Sequence, residues 1–359
     1  MLCSGMAAVN DPDAGGFDRI TISPRDQAAV DTPSRPDLLE EVLDSVRLTA
    51  ALFFAVDASS PWCVDVPEAR DYARLILPRD QHVVSYHIAV NGEGWANVPG
   101  VAPQRFGPGD ILFFPHGDPY VMEGGTGTPT RLDSAETQRF FRALASGELP
   151  FMVPLGGGGA PRAEFICGYL GMEARPFNPI LSGLPRMLHL QRGGGGGDML
   201  DRLVEMTIEE ARQRRAGGRS VSVRLSEVLF IELLRRYAET PGPKPPGWLT
   251  GARDPKLGRA LAALHADPAR AWTVEALAST AGLSRSALAS RFSDLIGHPP
   301  AEYLRLWRLQ LASTLLRETD LQVAEIGRRV GYGAEAAFSR SFKRHLGLSP
   351  EAWRRGAPG

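Results

Sequence analysis

The sequence predicts an α+β multidomain protein: an N-terminal β-barrel or sandwich with a helical segment, then an all-α domain holding two helix-turn-helix units. Three observations predict it. Between about residues 48 and 172, short β-prone runs alternate with turn residues. Two strongly helical stretches and a proline-rich segment, Pro241–Gly247, follow. The last hundred residues then contain an internal near-repeat built on glycine turns.

Composition sets the outer bounds. A chain of 359 residues, 43% apolar and 23% charged, is long enough for two domains with separate cores. No apolar run approaches the roughly 18–20 residues that span a bilayer, and the start Met1-Leu-Cys-Ser-Gly lacks a basic segment followed by a hydrophobic one. A cytoplasmic protein without membrane contact is expected. Cys3, Cys63 and Cys167 are far apart and lack metal-ligand spacing, which argues against a disulfide framework and leaves Cys63 and Cys167 as redox candidates. The net charge of -1 hides an asymmetry: residues 251–359 hold 16 Lys and Arg against 10 Asp and Glu, the rest 24 against 31. The positive excess lies where a DNA-binding module would need it.

Residues 1–36, rich in Asp, Pro, Gly and Ala without periodicity, read as a disordered tail. Pro36 to Leu43 has a helix start and an apolar face in Leu38, Leu39, Val42 and Leu43. Strand-forming runs follow at 50–56, 73–77, 82–90, 94–98, 110–114 and 164–170. Asn91-Gly92 is a hairpin signal, Gly107–Asp110 and Pro115–Pro119 mark turns, and Gly124–Pro129 and Gly156–Gly159 are flexible breaks. Gly193–Gly197 is taken as the approximate end of this domain, which spans 37–197. Met199, Leu200, Leu203, Met206 and Thr207 repeat at helical spacing, and Val223 to Leu233 forms a more fully apolar helix. This 198–240 segment has too much apolar surface for a free linker, so it should pack on the β-domain, on itself or on a second subunit. A semi-rigid linker at 241–250 leads into the last domain, 251–359.

In that domain Val323, Ile326 and Val330 form one helical stripe, Gly331-Tyr-Gly333 interrupts it, and Phe338, Phe342 and Leu346 form the next. Ser339, Arg340, Lys343 and Arg344 occupy the remaining faces of the second helix. Upstream, Phe292, Gly297, Pro300, Tyr303 and Arg305 match Phe342, Gly347, Pro350, Trp353 and Arg355, and Ala278 and Gly327 each stand four before a turn glycine. Ser284 is a suitable N-cap for a helix running to about Ile296. Two helix-turn-helix units result. Between them Pro300 to about Arg317 reads as one helix of roughly 27 Å, close to the pitch of B-DNA, so the two units are expected in successive major grooves.

Trp272-Thr-Val-Glu-Ala-Leu-Ala, Gly282-Leu-Ser, Val323-Ala-Glu-Ile-Gly with Val330-Gly-Tyr, Phe338-Ser-Arg-Ser-Phe-Lys-Arg344 and Gly347-Leu-Ser-Pro350 resemble the AraC-type transcription regulators. The resemblance implies binding to double-stranded promoter DNA near RNA polymerase. It also implies base-reading candidates in Arg285, Ser286 and Ala287 and in Glu335, Ala336, Ser339 and Arg340, with Arg291, Lys343 and Arg344 as phosphate partners. Gly109-Asp-Ile-Leu-Phe-Phe-Pro-His-Gly-Asp-Pro-Tyr120 looks like the second cupin motif, and the first domain is similar to the cupin sensor carried by one branch of that family.

Catalytic cupins bind metal through a His-x-His pair, a Glu and a further His. Here His82 and His87 are five apart and fall on opposite sides of a regular strand, while Tyr120 replaces the last histidine. His82, His87, His116 and Tyr120 are therefore candidates for an effector pocket, with no metal, cofactor or catalytic residue expected, and His87 and His116 read first as structural or hydrogen-bonding residues and only second as metal or effector contacts. The alternative is a metal-dependent cupin enzyme with an accessory helical domain. The apolar helices at 198–238 point to a homodimer in which a small-molecule or redox signal repositions the DNA-binding domains.

Overall fold

The computed structural model describes residues 39, 42–43, 48–77, 82–125, 134–172, 176–191, 198–213, 215–240, 242 and 244–356. The expected tail at 1–36 with Cys3, the run Gly193–Gly197 and most of Gly124–Pro129 lie outside them. Of the expected helix Pro36–Leu43, the described residues Leu39, Val42 and Leu43 are helical.

Two sheets carry the first domain. The larger comprises β1 (Leu48–Ser60), β3 (His82–Asn91), β6 (Ile111–Phe114), β8 (Met152–Gly156), β9 (Gly159–Met172) and β10 (Leu188–Leu190), in the order β10-β6-β3-β9-β1-β8. The smaller comprises β2 (Trp62–Val66), β4 (Gly94–Asn97), β5 (Gln104–Phe106) and β7 (Tyr120–Gly124), in the order β2-β7-β4-β5. Strand alternation divides the larger sheet between two cores. Val83 and Ala89 of β3 join Leu112, Phe114, Phe165, Cys167 and Tyr169 in an inner cluster with the smaller sheet. Val84, Tyr86 and Ile88 join Ile111, Phe113 and Ile166 in an outer one. Both faces are covered, which is why β3 and most of β9 are buried without alternation.

Helices cover the outer face. In α4 (Met199–Gln213) and α5 (Gly218–Glu239), Leu200, Leu203, Val204, Leu229, Phe230, Leu233 and Leu234 enter the outer cluster. Phe230 packs on Phe113 at 5.6 Å between ring centroids, and the Tyr86 hydroxyl meets Ser226 Oγ at 3.2 Å. Gly168 stands opposite Tyr86 in the ladder, and a Cβ there would lie 2.1 Å from the ring.

Three expectations are corrected. The run at 73–77 is not a strand but part of α1 (Ala69–Ile76), because Ala69, Tyr72 and Ile76 bury one helical stripe and Tyr72 stacks on Phe141 at 4.2 Å. That partner sits on α2 (Ser134–Ser146), a helix the strand reading overlooked. Asn91-Gly92 makes no hairpin: β3 pairs with β6 and β9 while β4 pairs with β5 and β7, so the glycine, at φ 76, carries the chain from one sheet to the other. The break at Gly156–Gly159 is a bend tied to the end of β1, with the Gly157 N–H donating to the carbonyls of Ser59 and Pro61.

The last domain is all helix: α6 (Trp248–Arg253), α7 (Leu257–Ala266), α8 (Val274–Ala281), α9 (Arg285–Ile296), α10 (Pro300–Glu318), α11 (Val323–Arg329), α12 (Glu335–Leu346) and α13 (Pro350–Arg354). Helix α6 takes up the final residues of the expected 241–250 linker, with Trp248 buried and the Gly247 N–H donating to Leu295 O at 2.7 Å. The first helix-turn-helix unit shares the outer cluster with the sheet, whereas the second has its own core. A loop ending in α3 (Pro179–Ser182) reaches across: the Phe177 ring packs edge-on against Tyr303 and His298, and its N–H donates to Gln310 Oε1 at 3.1 Å. Phe177→Ala removes a buried ring from this junction and is expected to lower stability by about 3 kcal/mol, read as a lower urea midpoint of the whole chain.

Candidate nucleic-acid interface and barrel interior

Each recognition helix is prepared by its turn. In the first unit Thr273 Oγ1 accepts from Ala276 N at 3.1 Å, Gly282 turns at φ 65, and Ser284 Oγ accepts from Ala287 N at 3.3 Å to start α9. In the second, Gly327 lets the α12 residue Phe338 approach so closely that a Cβ would lie 3.2 Å from it. Gly331 turns at φ 89 beside the Ala269 carbonyl, 2.6 Å from where a Cβ would be. Leu288, Phe292 and Ile296 bury one side of α9, and Phe338, Phe342 and Leu346 one side of α12.

The opposite sides face solvent and differ in charge. On α12 Glu335, Ala336, Arg340, Lys343 and Arg344 are exposed and Ser339 is half-buried. On α9 Arg285, Ser286 and Ala287 are exposed, but Ser290 answers to Arg340 and Asp294 to Arg344 when Phe292 is aligned with Phe342. Arg285 pairs with Glu275 at 3.0 Å, both side chains well exposed, a pair of little worth to stability. Arg291 already has an intramolecular partner. Its guanidinium grips Asp254 Oδ2, and Asp254 Oδ1 accepts the N–H groups of Lys256 and Leu257 at the start of α7. The Arg291 hydrogen bond holds the Asp254 carboxyl down at about 2.

Sequence reasoning overlooked Arg308. It sits on α10 between the units and donates to the carbonyls of Pro268 at 2.7 Å, Arg270 at 2.8 Å and Gly331 at 3.2 Å. One guanidinium thus ties the loop before α8 to the turn after α11, setting the two units relative to each other. An unmatched arginine on a helix read for its apolar side gave no signal.

Inside the barrel the four effector candidates separate. His82 Nε2 meets Pro115 O at 2.5 Å and His116 Nε2 meets Leu184 O at 2.8 Å, so both hold backbone carbonyls. His87 is buried, with Nε2 2.6 Å from the Tyr120 hydroxyl and Nδ1 3.0 Å from Cys167 Sγ. A neutral ring donates one of these bonds and accepts the other, and burial drives its pKa down to about 3. Ser85 bonds both Tyr72 and Tyr120, completing a buried polar network. His87, Cys63 and Cys167 line one apolar cavity of about 70 Å³ with Phe54, Phe140 and Tyr169. That volume is well below the roughly 300 Å³ of small-molecule sites. Burial also pushes the Cys167 thiol far up, away from the thiolate needed for fast oxidation.

Comparison with known proteins agrees with this architecture. The Cupin family matches residues 37–239, which includes α4 and α5, and the Helix-turn-helix domain family matches residues 277–356. A putative AraC-like transcription regulator of Streptomyces lividans is 30% identical over 89% of this chain and 98% of its own length. The HTH-type transcriptional regulator AlkR of Acinetobacter baylyi is 28% identical over 89% and 99%. The solved DNA-binding domain of AdpA in complex with a target DNA is 34% identical over 28% of this chain and 91% of that one, with a TM-score of 0.27.

The buried histidines make stability pH-dependent. His87 and His265 are both held near 3 by burial in the fold but titrate near 6.5 when unfolded. Their contribution is complete above pH 6.5 and is lost as the pH falls, at about 1.4 kcal/mol per pH unit for each. Urea unfolding between pH 6.5 and 5 should show that slope, and His87→Gln should reduce it by one proton's worth.

Proposed function

Because the chain belongs to the AraC-type transcription regulators with an N-terminal cupin domain, we propose that it reads a bipartite operator with α9 and α12, held in fixed relation by α10 and Arg308. The observation that carries this is the pair of matched units, each with a buried apolar stripe centred on a phenylalanine and an exposed opposite face. Relatives spanning nearly all of the chain are transcription regulators, which makes DNA binding its activity. We assign base reading to Arg285, Ser286 and Ala287 in one half-site and to Glu335, Ala336, Ser339 and Arg340 in the other. Lys343 and Arg344, exposed and without an ion-pair partner among the described residues, hold phosphates. RNA polymerase is the expected neighbour at the promoter, and a small-molecule signal received by the β-domain the expected control.

The same reading places a homodimer contact on α4 and α5. Of the six exposed large hydrophobics among the described residues, Met199, Met206, Val221 and Val228 lie on these two helices. Each pair is spaced i, i+7 and so shares one side of its helix, the pattern of a helix seam. Exposed apolar residues at this spacing are a seam that a second copy of the chain would cover.

Footprinting on a bound promoter tests the first assignment. Arg340→Ala should cost about 1–3 kcal/mol in one operator half and Arg285→Ala in the other, while Lys343→Ala should lower the salt slope by about 1 without changing sequence preference. Uniform losses over all sequences would reassign both arginines to phosphates. For the dimer, Met206→Asp with Val228→Asp should convert the sedimenting species to a monomer; an unchanged mass would remove this interface.

A further inference from the structure

Arg308 braces α10 on one side, and a second brace comes from the β-domain. It is the strap 176–187, which precedes β10 and is held in shape along its length. Asn178 Oδ1 accepts the N–H groups of Ile180 and Leu181 at 3.1 and 3.0 Å to start α3, and Ile180, Leu181 and Leu184 are buried in the outer cluster. Its far end is fastened to the turn that follows β6. His116 Nε2 donates to Leu184 O at 2.8 Å, and the Arg186 guanidinium reaches both oxygens of Asp118 at 3.0 and 2.7 Å.

The near end touches both helix-turn-helix units. The Phe177 ring packs against His298, in the turn after α9, and against Tyr303 of α10, while Pro176 O accepts from His345 Nε2 at 3.3 Å near the end of α12. Two successive residues of the β-domain thus join the C-terminal ends of α9 and α12. Tyr303 and Gln310, the partners of Phe177 on α10, are seven apart and share one side of that helix; Arg308, two residues before Gln310, lies roughly opposite. A helix tied on one side can still tilt, whereas ties on both sides stop the units from rotating against each other. Gly183 then brings the strap backbone onto the start of α6: a Cβ on Gly183 would lie 2.5 Å from Gly247 Cα, and one on Gly247 2.2 Å from Gly183 Cα. Gly183 has φ -102, open to any residue, so a methyl group there acts through this contact alone.

We propose that Pro176 and Phe177 are positioning residues of the DNA reader: the strap is the second brace across α10 and, with Arg308, sets the distance and rotation between α9 and α12. The β-domain then fixes the register of the two half-sites as well as receiving a signal. This inference rests on the bipartite reading proposed above.

Competition binding of the full chain to operators whose half-sites are moved together or apart by one base pair tests it, because one pair shifts a half-site by about 3.4 Å and turns it by about 35°. The parent chain should disfavour a shifted operator about tenfold or more. Phe177→Ala and Gly183→Ala should each cut that discrimination at least about threefold, and His345→Ala, at an exposed position, about twofold. The ratio between operators does not depend on the fraction of folded protein, so destabilisation alone leaves it unchanged. Lys343→Ala, which removes a phosphate contact, should weaken all operators alike; a loss of discrimination here too would overturn the brace. If Phe177→Ala does not fold, Gly183→Ala and His345→Ala decide. Discrimination that stays at the parent level in the folded strap variants would overturn the brace and leave the bipartite reader standing, whereas a parent chain indifferent to spacing would overturn both.

Discussion

A sheet that is apolar on both faces must be covered twice, and the rest of this protein follows from how the six-stranded sheet meets that demand. Its inner face closes against the smaller sheet around Phe114, Phe165 and Tyr169. Its outer face is too large for α4 and α5 alone, and the cluster that begins at Val84, Tyr86 and Ile88 continues without interruption into Leu261, Phe292 and Trp307. Apolar burial is non-directional and proportional to area, so such a continuous core resists separation of the two domains. The polar contact from the Phe177 N–H to Gln310 adds direction where apolar packing has none.

The consequence is an asymmetry between the two helix-turn-helix units. The first is built into the core that also holds the sheet; the second packs on Phe338, Phe342 and Trp353 in a core of its own. What relates the second unit to the first is α10, buried on most of its sides, and the single guanidinium of Arg308 spanning both. Charge follows the same division. The unit anchored to the sheet presents Ser290 and Asp294 where the outer unit presents Arg340 and Arg344. Electrostatic attraction to a phosphate backbone therefore concentrates on the outer unit, while the inner one has the more neutral face.

The barrel interior brings several of its own polar side chains together. His87, Tyr120, Ser85, Tyr72 and Cys167 satisfy one another, and the nearest histidines, His82 and His116, hold backbone carbonyls instead. Among the described residues, a buried carboxylate oxygen without a hydrogen-bond partner, Glu210 Oε1, lies instead outside the barrel, on α4.

Much of this was legible in the residues because local physics dictated it. Helical stripes such as Phe338, Phe342 and Leu346, the turn glycines Gly282 and Gly331, and the Ser284 cap each act within a few residues, so order along the chain suffices to find them. Repetition at Phe292 and Phe342 made the bipartite reader visible as well. What escaped depended on partners distant in sequence. Ala73 to Ile76 became helix because Tyr72 could stack on Phe141; Asn91-Gly92 joined two sheets because β3 found β6 and β9; Arg291 met Asp254, and Arg308 carbonyls some forty residues before it. The sequence by itself determined the domain order, the two helix-turn-helix units and the family, since these rest on periodicity, caps and turns. Only the tertiary structure decided which polar groups are spent on the fold and which remain available, because that depends on what burial brings opposite each of them.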